Sequence, residues 1–446
     1  MKFGGSSVKR TAEVLSLALA GVAVPAAAQT AVPAPIVAPS SVIGADVSAA
    51  YETYHLQPLW FRGGSVDNAA VAQLIAILQR APFDGFAEGP QLAAQVQVAV
   101  AQGRIDANAA RSADRVLSTA WVRYVQAIRR PTTGMIYAFG VLKPHGTRTE
   151  EILLTAAAAP SLTAYLTSTS DLNPIYRHLR DAGWSDAQAT GNLTPDPRLL
   201  ANLDRVRSIP STGRFLVVDA GSSILTLWEN GQPIDSMKVI TGTKELPTPM
   251  IASVMYYITY NPYWHAPDHL VRKTIAPNVL HLGLKYFSAR KYDVINEWSE
   301  DATVIDPTTI DWKAAAAGTV HLKIRQGPGP LNSMGILKFP FPNPEDIYLH
   351  DTPDHAKFAL ANRNLSNGCV RVEDATRLGR WLLGSDPVAP GTDPETRVQL
   401  PKGTPIYLTY ITAQVSDGKL TYLPDIYGWD TAPPTQFASS YQAASS

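Results

Sequence analysis

Cys369 is the single cysteine of this 446-residue chain, and it stands in Ser366-Asn367-Gly368-Cys369-Val370-Arg371. With no second thiol in its own chain to form a disulfide, it is either a small buried hydrophobe or a nucleophile. A nucleophilic cysteine attacks as its thiolate, so it needs a base or a positive potential nearby. His350 offers a base 19 positions upstream (369 − 350), at the end of the apolar run Ile347-Tyr348-Leu349, which reads as a strand. Gly368 permits a tight turn with positive φ, in which the N–H groups of Gly368 and Cys369 can point at one oxygen. Together these suit attack on a carbonyl, with sulfur as nucleophile, imidazole as proton carrier and backbone amides for the oxyanion. The polar residues around the thiol argue against a core cysteine.

Other groups compete for attention. His355 is a rival base, but it follows Pro353 in a segment that reads as a loop. His265, His269, His321 and His350 raise the question of a metal site. Pro267 breaks the helix that would put the first two on one face, and no Glu accompanies them, so no metal or other cofactor is expected. Gly327-Pro328-Gly329-Pro330 is a rigid turn rather than a phosphate loop, because proline lacks the N–H groups that bind phosphate.

The elements that must position the site follow from periodicity. After Val372 the spacing predicts a helix with Leu378, Trp381 and Leu382 on one face, Glu373 and Asp374 in its first turn and Gly384 as its stop. On that reading the thiol sits near a helix N-terminus, which favours the thiolate. Upstream, short β-branched runs at 215–218, 224–228, 234–240 and 253–260 read as strands, and Asn230-Gly231 as a hairpin turn. From 264 to about 317 the pattern is mixed. Strand signals return at 320–324 and 404–412, and 420–429 is expected to pack back on the domain. Residues 47–207 read as helical, most clearly where Ala113, Leu117, Ala120, Trp121, Tyr124 and Ile128 share one face before Pro131. Leu199, Leu203 and Val206 repeat the pattern, and residues 51–63 read as core. The fold class is α+β, a mainly helical half followed by a β-rich half.

Composition bounds the rest. Length allows two or three domains, and 45% hydrophobic content supports sizeable cores. Lys plus Arg (38) balances Asp plus Glu (38), so nothing points to nucleic acid or an anionic membrane as partner. Lys2, Lys9 and Arg10, the apolar run 14–24 and Ala26-Ala27-Ala28 read as an export signal cleaved before Gln29. That run falls short of the roughly 20 residues that span a bilayer, so no stable membrane insertion is expected after cleavage. The mature protein is expected beyond the inner membrane, where a lone thiol avoids wrong disulfides.

The chain resembles the L,D-transpeptidase family, more narrowly its large periplasmic Gram-negative type with a helical N-terminal scaffold domain. The family signature is a histidine, a spacer, then Ser/Thr-x-Gly-Cys and an Arg or Asn two residues on. Glu229-Asn230-Gly231, Asn261-Pro262-Tyr263-Trp264, Arg325-Gln326-Gly327-Pro328-Gly329-Pro330, Lys338-Phe339 and Tyr348-Leu349-His350-Asp351-Thr352-Pro353 add to it, in order, over most of 212–412. The resemblance implies a signal peptide (1–28), linker (29–44) and helical scaffold domain (45–208). A catalytic domain (212–412) with a capping insertion (about 265–318), a C-terminal extension (413–430) and a disordered tail (431–446) follow. The family's wall-binding module has no room between 168 and 207.

By resemblance, Cys369 is the nucleophile and His350, rather than His355, the general base and acid. The backbone carbonyl of Asp351 orients His350, and Gly368 contributes to the oxyanion hole. Tyr348, Ser366, Asn367, Arg371 and Trp264 are expected to bind substrate or support the site. Many members have histidine where Asn367 stands. The implied reaction acylates the cysteine on a peptidoglycan tetrapeptide stem, releases D-Ala and passes the acyl group to the diaminopimelate amine of a second stem, giving a 3→3 crosslink. Carbapenems should acylate the same thiol, and cell-wall synthesis proteins are possible partners. The alternatives are resolution of the thioester by water, a D-amino acid or a protein lysine, and a non-enzymatic wall-binding scaffold.

Overall fold

The computed structural model describes residues 43–299 and 301–432. The expected export signal, most of the expected linker and the tail from 433 onward lie outside the described residues. Helices occupy the N-terminal half, as α1 (Ala45–Thr53), α2 (Asn68–Arg80), α3 (Gly89–Gln102) and α4 (Ala107–Ile128), then α5 (Thr149–Ala158), α6 (Leu162–Ser170), α7 (Pro174–Thr190) and α8 (Pro197–Val206). Asp67, Asp106, Asn173 and Asp196 cap α2, α4, α7 and α8 by accepting first-turn N–H groups that have no intrahelical partner. The α4 face read from spacing is buried throughout, and Trp60, Leu74, Trp121 and Leu166 pack in the same core. No helix among the described residues is long and apolar enough to cross a membrane.

The β-rich half forms one large sheet from β2 (Arg214–Asp219), β3 (Ile224–Glu229), β4 (Gln232–Gly242), β5 (Ile251–Tyr260), β10 (Leu337–Pro340), β11 (Tyr348–His350), β13 (Val370–Val372) and β14 (Thr396–Thr409). The strand order is β5-β10-β11-β13-β4-β3-β2-β14, and β14 also pairs with β5, which closes the path on itself. The β2–β3 ladder is antiparallel. The next turn carries positive φ at both Asn230 (51°) and Gly231 (79°), which fits a type I′ hairpin. Alternation along β2 serves two cores. Leu216 and Val218 face the interior shared with Ile258, Leu349 and Leu378, while Phe215 and Val217 pack with Leu203 and Val206 of α8.

Two differences from the periodicity reading matter. The helical half contributes a short strand, β1 (Ile136–Tyr137), which pairs in parallel with Ile251 and Ala252 of β5. Two residues carry too little alternation to announce a strand. Second, β9 (Lys323–Gln326), near the strand signal at 320–324, lies beyond the expected end of the insertion at about 318 yet belongs to it. It pairs with β6 (Trp264–Ala266) and β7 (Tyr292–Ile295), and β7 with β8 (Val304–Ile305). The insertion therefore closes into a unit over 264–326 with its own core, including Val271, Ile275, Phe287, Trp312 and Ile324. A short strand, β12 (Asn364–Ser366), lies against β4. A hairpin of β15 (Ala413–Ser416) and β16 (Lys419–Tyr422) precedes Tyr427 and Trp429, whose rings pack on Tyr410.

Candidate active site

β11 and β13 run in parallel, with Leu349 beside Val370 and His350 beside Arg371. Cys369, one residue before β13, therefore comes level with Tyr348. Adjacent strands thus close a nineteen-residue gap in sequence, and Cys369 and His350, two positions apart in register, line the same cavity of about 1080 Å³. The cavity runs between the main sheet and the insertion, which contributes Trp264, His265, His269, Trp298 and His321 to its wall.

His350 is 6% exposed. Its Nδ1 lies 2.6 Å from the Asp351 carbonyl oxygen. A carbonyl can only accept, so Nδ1 carries the proton and Nε2 is left with a lone pair. The Asp351 carboxylate is turned away, accepting the N–H of Ile336 at 2.9 Å. Burial, then the charge of Arg371, pushes the imidazole down to about 3, against the Asp351 hydrogen bond. The ring is neutral near pH 7.

Burial also pushes the Cys369 thiol up, while the Tyr348 N–H and hydroxyl, Lys338 and Arg371 work in the other direction. Its Sγ faces the carbonyl oxygen of Asp346 at 3.8 Å. Asp346 has φ of +51°, one of the few left-handed non-glycine residues. The resting pair is thus a neutral thiol and a neutral imidazole.

The expected help from a helix N-terminus does not materialise. The helix that follows, Ala375–Leu383, begins only after β13 and is capped by Asp374. Six positions separate Cys369 from Ala375 (375 − 369), beyond the single turn over which a helix terminus is felt. Val370 and Val372 are β-branched and the run 370–372 pairs on both edges, so it extends instead of coiling.

The turn around the thiol is held from several sides. Gly368 has φ of +116°. Its N–H donates to Ser366 Oγ at 3.2 Å, and the Ser366 hydroxyl donates to the Cys369 carbonyl at 2.6 Å. Ser366 is 3% exposed and its hydroxyl is spent on the turn, so it braces the thiol and is not a free rim group. The Gly368 N–H, expected to face an oxyanion, is engaged by that same hydroxyl. Asn367 lies against His269 of the insertion. Tyr348 places its ring 5.8 Å from that of His350. Arg371 is partly buried, and its Nε finds no hydrogen-bond partner among the described residues. Trp264 lines the cavity and leans on Tyr292. His355, the rival base, is exposed in a short turn against Phe358, away from the cavity wall. The other histidines have separate partners, Trp298 for His265 and Asp268 for His321. Among the described residues no three His, Cys, Asp or Glu side chains converge to hold a metal ion.

Three participants escaped sequence reasoning. Thr248 donates its hydroxyl to the Gly368 carbonyl at 2.7 Å and accepts from the Gly242 N–H at 2.9 Å. Tyr427 completes that brace, its hydroxyl donating to the Gly242 carbonyl at 2.8 Å. Lys338 stands directly opposite His350 across β10–β11. Of the three only Lys338 carried a sequence signal, in Lys338-Phe339.

Residues 213–408 match the YkuD family, the L,D-transpeptidase catalytic domain, and residues 45–182 match a scaffold domain. Over 391 residues the chain is 26% identical to a protein of Haemophilus influenzae named "Putative L,D-transpeptidase", covering 85% of this chain and 77% of that relative. Among solved structures, an L,D-transpeptidase from Mycobacterium smegmatis matches 45% of this chain and 60% of its own length, at 11% identity and a TM-score of 0.22. So small a structural likeness carries no argument.

Proposed function

The chain belongs to the L,D-transpeptidases, with a scaffold domain ahead of the catalytic domain, and from that premise we propose a cysteine-dependent transpeptidase of the cell wall, working outside the cytoplasm in the periplasm. The observation that carries the reading is that Cys369 and His350 come from adjacent parallel strands, two positions apart in register, to the wall of one cavity, with the tautomer of His350 set by Asp351.

The donor is a peptidoglycan tetrapeptide stem. Cys369 attacks the carbonyl of diaminopimelate while the neutral His350 Nε2 takes the thiol proton. Negative charge on the carbonyl oxygen is met by the Cys369 N–H, joined by that of Gly368 once it leaves Ser366 Oγ. The imidazolium then returns its proton to the departing amine of D-Ala, and a thioester remains on Cys369. A side-chain amine of a second stem resolves it, giving a 3→3 crosslink. Because both resting groups are neutral, a dry cavity favours the starting pair, and charge appears only as attack begins. The insertion walls off one side, which limits water as a competing acceptor.

Intact-mass measurement after incubation with a carbapenem tests the nucleophile. One adduct is expected on the wild type and none on Cys369→Ala; an unmodified wild type would sink the enzymatic reading in favour of a wall-binding scaffold. Product analysis with purified tetrapeptide-containing muropeptides separates crosslinking from hydrolysis, D-amino-acid exchange or transfer to a protein lysine.

A further inference from the structure

Lys338 pairs with His350 across the antiparallel β10–β11 ladder. Directly opposite residues project to the same face of a sheet, with Cβ atoms about 5 Å apart. Both side chains line the cavity that holds Cys369. The Lys338 ammonium lies 4.4 Å from the centroid of the Tyr348 ring. Among the described residues it forms no ion pair with a carboxylate. A half-buried cation without a counter-charge is costly unless something that enters the site brings one.

The chemistry of the site says where that counter-charge would be. His350 must face the departing amine to protonate it. The carboxylate of the departing residue is two bonds from that amine, so a donor aligned on His350 brings its terminal carboxylate toward the neighbour of His350 on the sheet. Arg371 adjoins His350 from the other side, on β13. Resting on the transpeptidase reading above, we propose that Lys338 binds the terminal carboxylate of the donor stem and so selects stems that end one residue beyond the bond to be cut. Lys338 is a recognition residue in this account; it forms no bond to the reacting carbonyl. A stem one residue longer carries its carboxylate past the ammonium and leaves the charge unmatched.

The test compares a disaccharide-tetrapeptide donor with the same donor amidated at its terminal carboxylate. Wild type, Lys338→Met and Lys338→Arg are assayed as full-length protein, each checked for an unchanged melting temperature. The wild type should prefer the free acid by about 10- to 100-fold in kcat/KM, the range of a hydrogen bond to a charged group. Lys338→Met should lose that preference by slowing the acid more than the amide, and Lys338→Arg should keep part of it. Because the Lys338 charge also favours the thiolate, alkylation of Cys369 by iodoacetamide, which is uncharged, measures that effect in each variant, and both donor rates are compared after dividing by it. If Lys338→Met then slows both donors equally, Lys338 acts only on the thiol and the proposal is overturned. If the wild type prefers neither donor, it is overturned as well. If the wild type turns over neither donor, the transpeptidase reading itself falls and takes the proposal with it.

Discussion

His350 donates its Nδ1 proton to the backbone carbonyl of Asp351, 2.6 Å away and one residue along the chain. A backbone group orients the ring where many sites use a carboxylate. The choice has an electrostatic consequence. A carbonyl fixes the tautomer without adding negative charge to hold an imidazolium, so the buried ring is neutral near pH 7. Anything that moves the Asp351 peptide should move the ring with it.

Gly335 is the position most exposed to that logic. It has φ of +61°, and a Cβ there would lie 2.2 Å from Asp351 Oδ2. Gly335→Ala is expected to lower kcat by about 10- to 100-fold through displaced His350, with KM little changed. Steady-state kinetics checks this, and an unaltered kcat would argue that the peptide tolerates the shift.

Thr248 braces the turn at Gly368-Cys369 from 120 residues away (368 − 248). Thr248→Val keeps the shape and removes the hydroxyl, leaving the buried Gly368 carbonyl without that donor. The expected cost is about 1–3 kcal/mol of stability, read from denaturant unfolding. Carbapenem acylation should slow as well, since the turn that presents Cys369 loosens.

The pH behaviour follows from two neutral groups. Burial raises the thiol, so absorbance of the thiolate near 240 nm should be small at pH 7 and grow only above the ordinary thiol range. A wild-type minus Cys369→Ser difference titration measures it; a thiolate plateau already present at neutral pH would contradict the resting pair described above. The imidazole is held down to about 3, below its unfolded value of about 6.5. The unfolded chain therefore binds the proton first as pH falls. The contribution of neutral His350 to stability is complete above about 6.5 and is lost as pH falls toward 3. His350→Gln should flatten stability in that window, measured by denaturant unfolding at stepped pH.

Asp430 ties the C-terminal segment to the helical half. Its Oδ1 is 2.8 Å from Arg205 Nη1 in a pair almost closed to solvent, and Thr412 Oγ1 donates to its Oδ2 at 2.8 Å. Asp430→Ala leaves the guanidinium buried without its partner and is expected to cost about 3–5 kcal/mol, measured by unfolding. Because Tyr427 braces Gly242 three residues earlier in the chain, catalytic activity should fall in the same variant.

Some of this protein was readable from residue order. The candidate pair was legible because a glycine turn, a lone thiol and a histidine closing an apolar run are local chemical signals. The α4 face was legible because helix spacing is also local. Signals failed where partners are remote or segments short. The strand after Cys369 was read as the approach to a helix because a run of three residues, Val370-Arg371-Val372, fits either pattern until two neighbouring strands claim its N–H and C=O groups. The strand signal at 320–324 did not say which sheet it joins, because alternation reveals a strand but not its partner.

The sequence by itself determined the nucleophile candidate, the base candidate, the α+β plan and the hairpin at Asn230-Gly231, since each rests on covalent neighbours and local backbone preference. Only the tertiary structure decided that Thr248 and Tyr427 hold the turn before Cys369, that Ser366 takes the Gly368 N–H, and that Lys338 stands opposite His350. Those relations arise from register and burial, which depend on which surfaces pack together and which buried polar groups must find partners once water is gone.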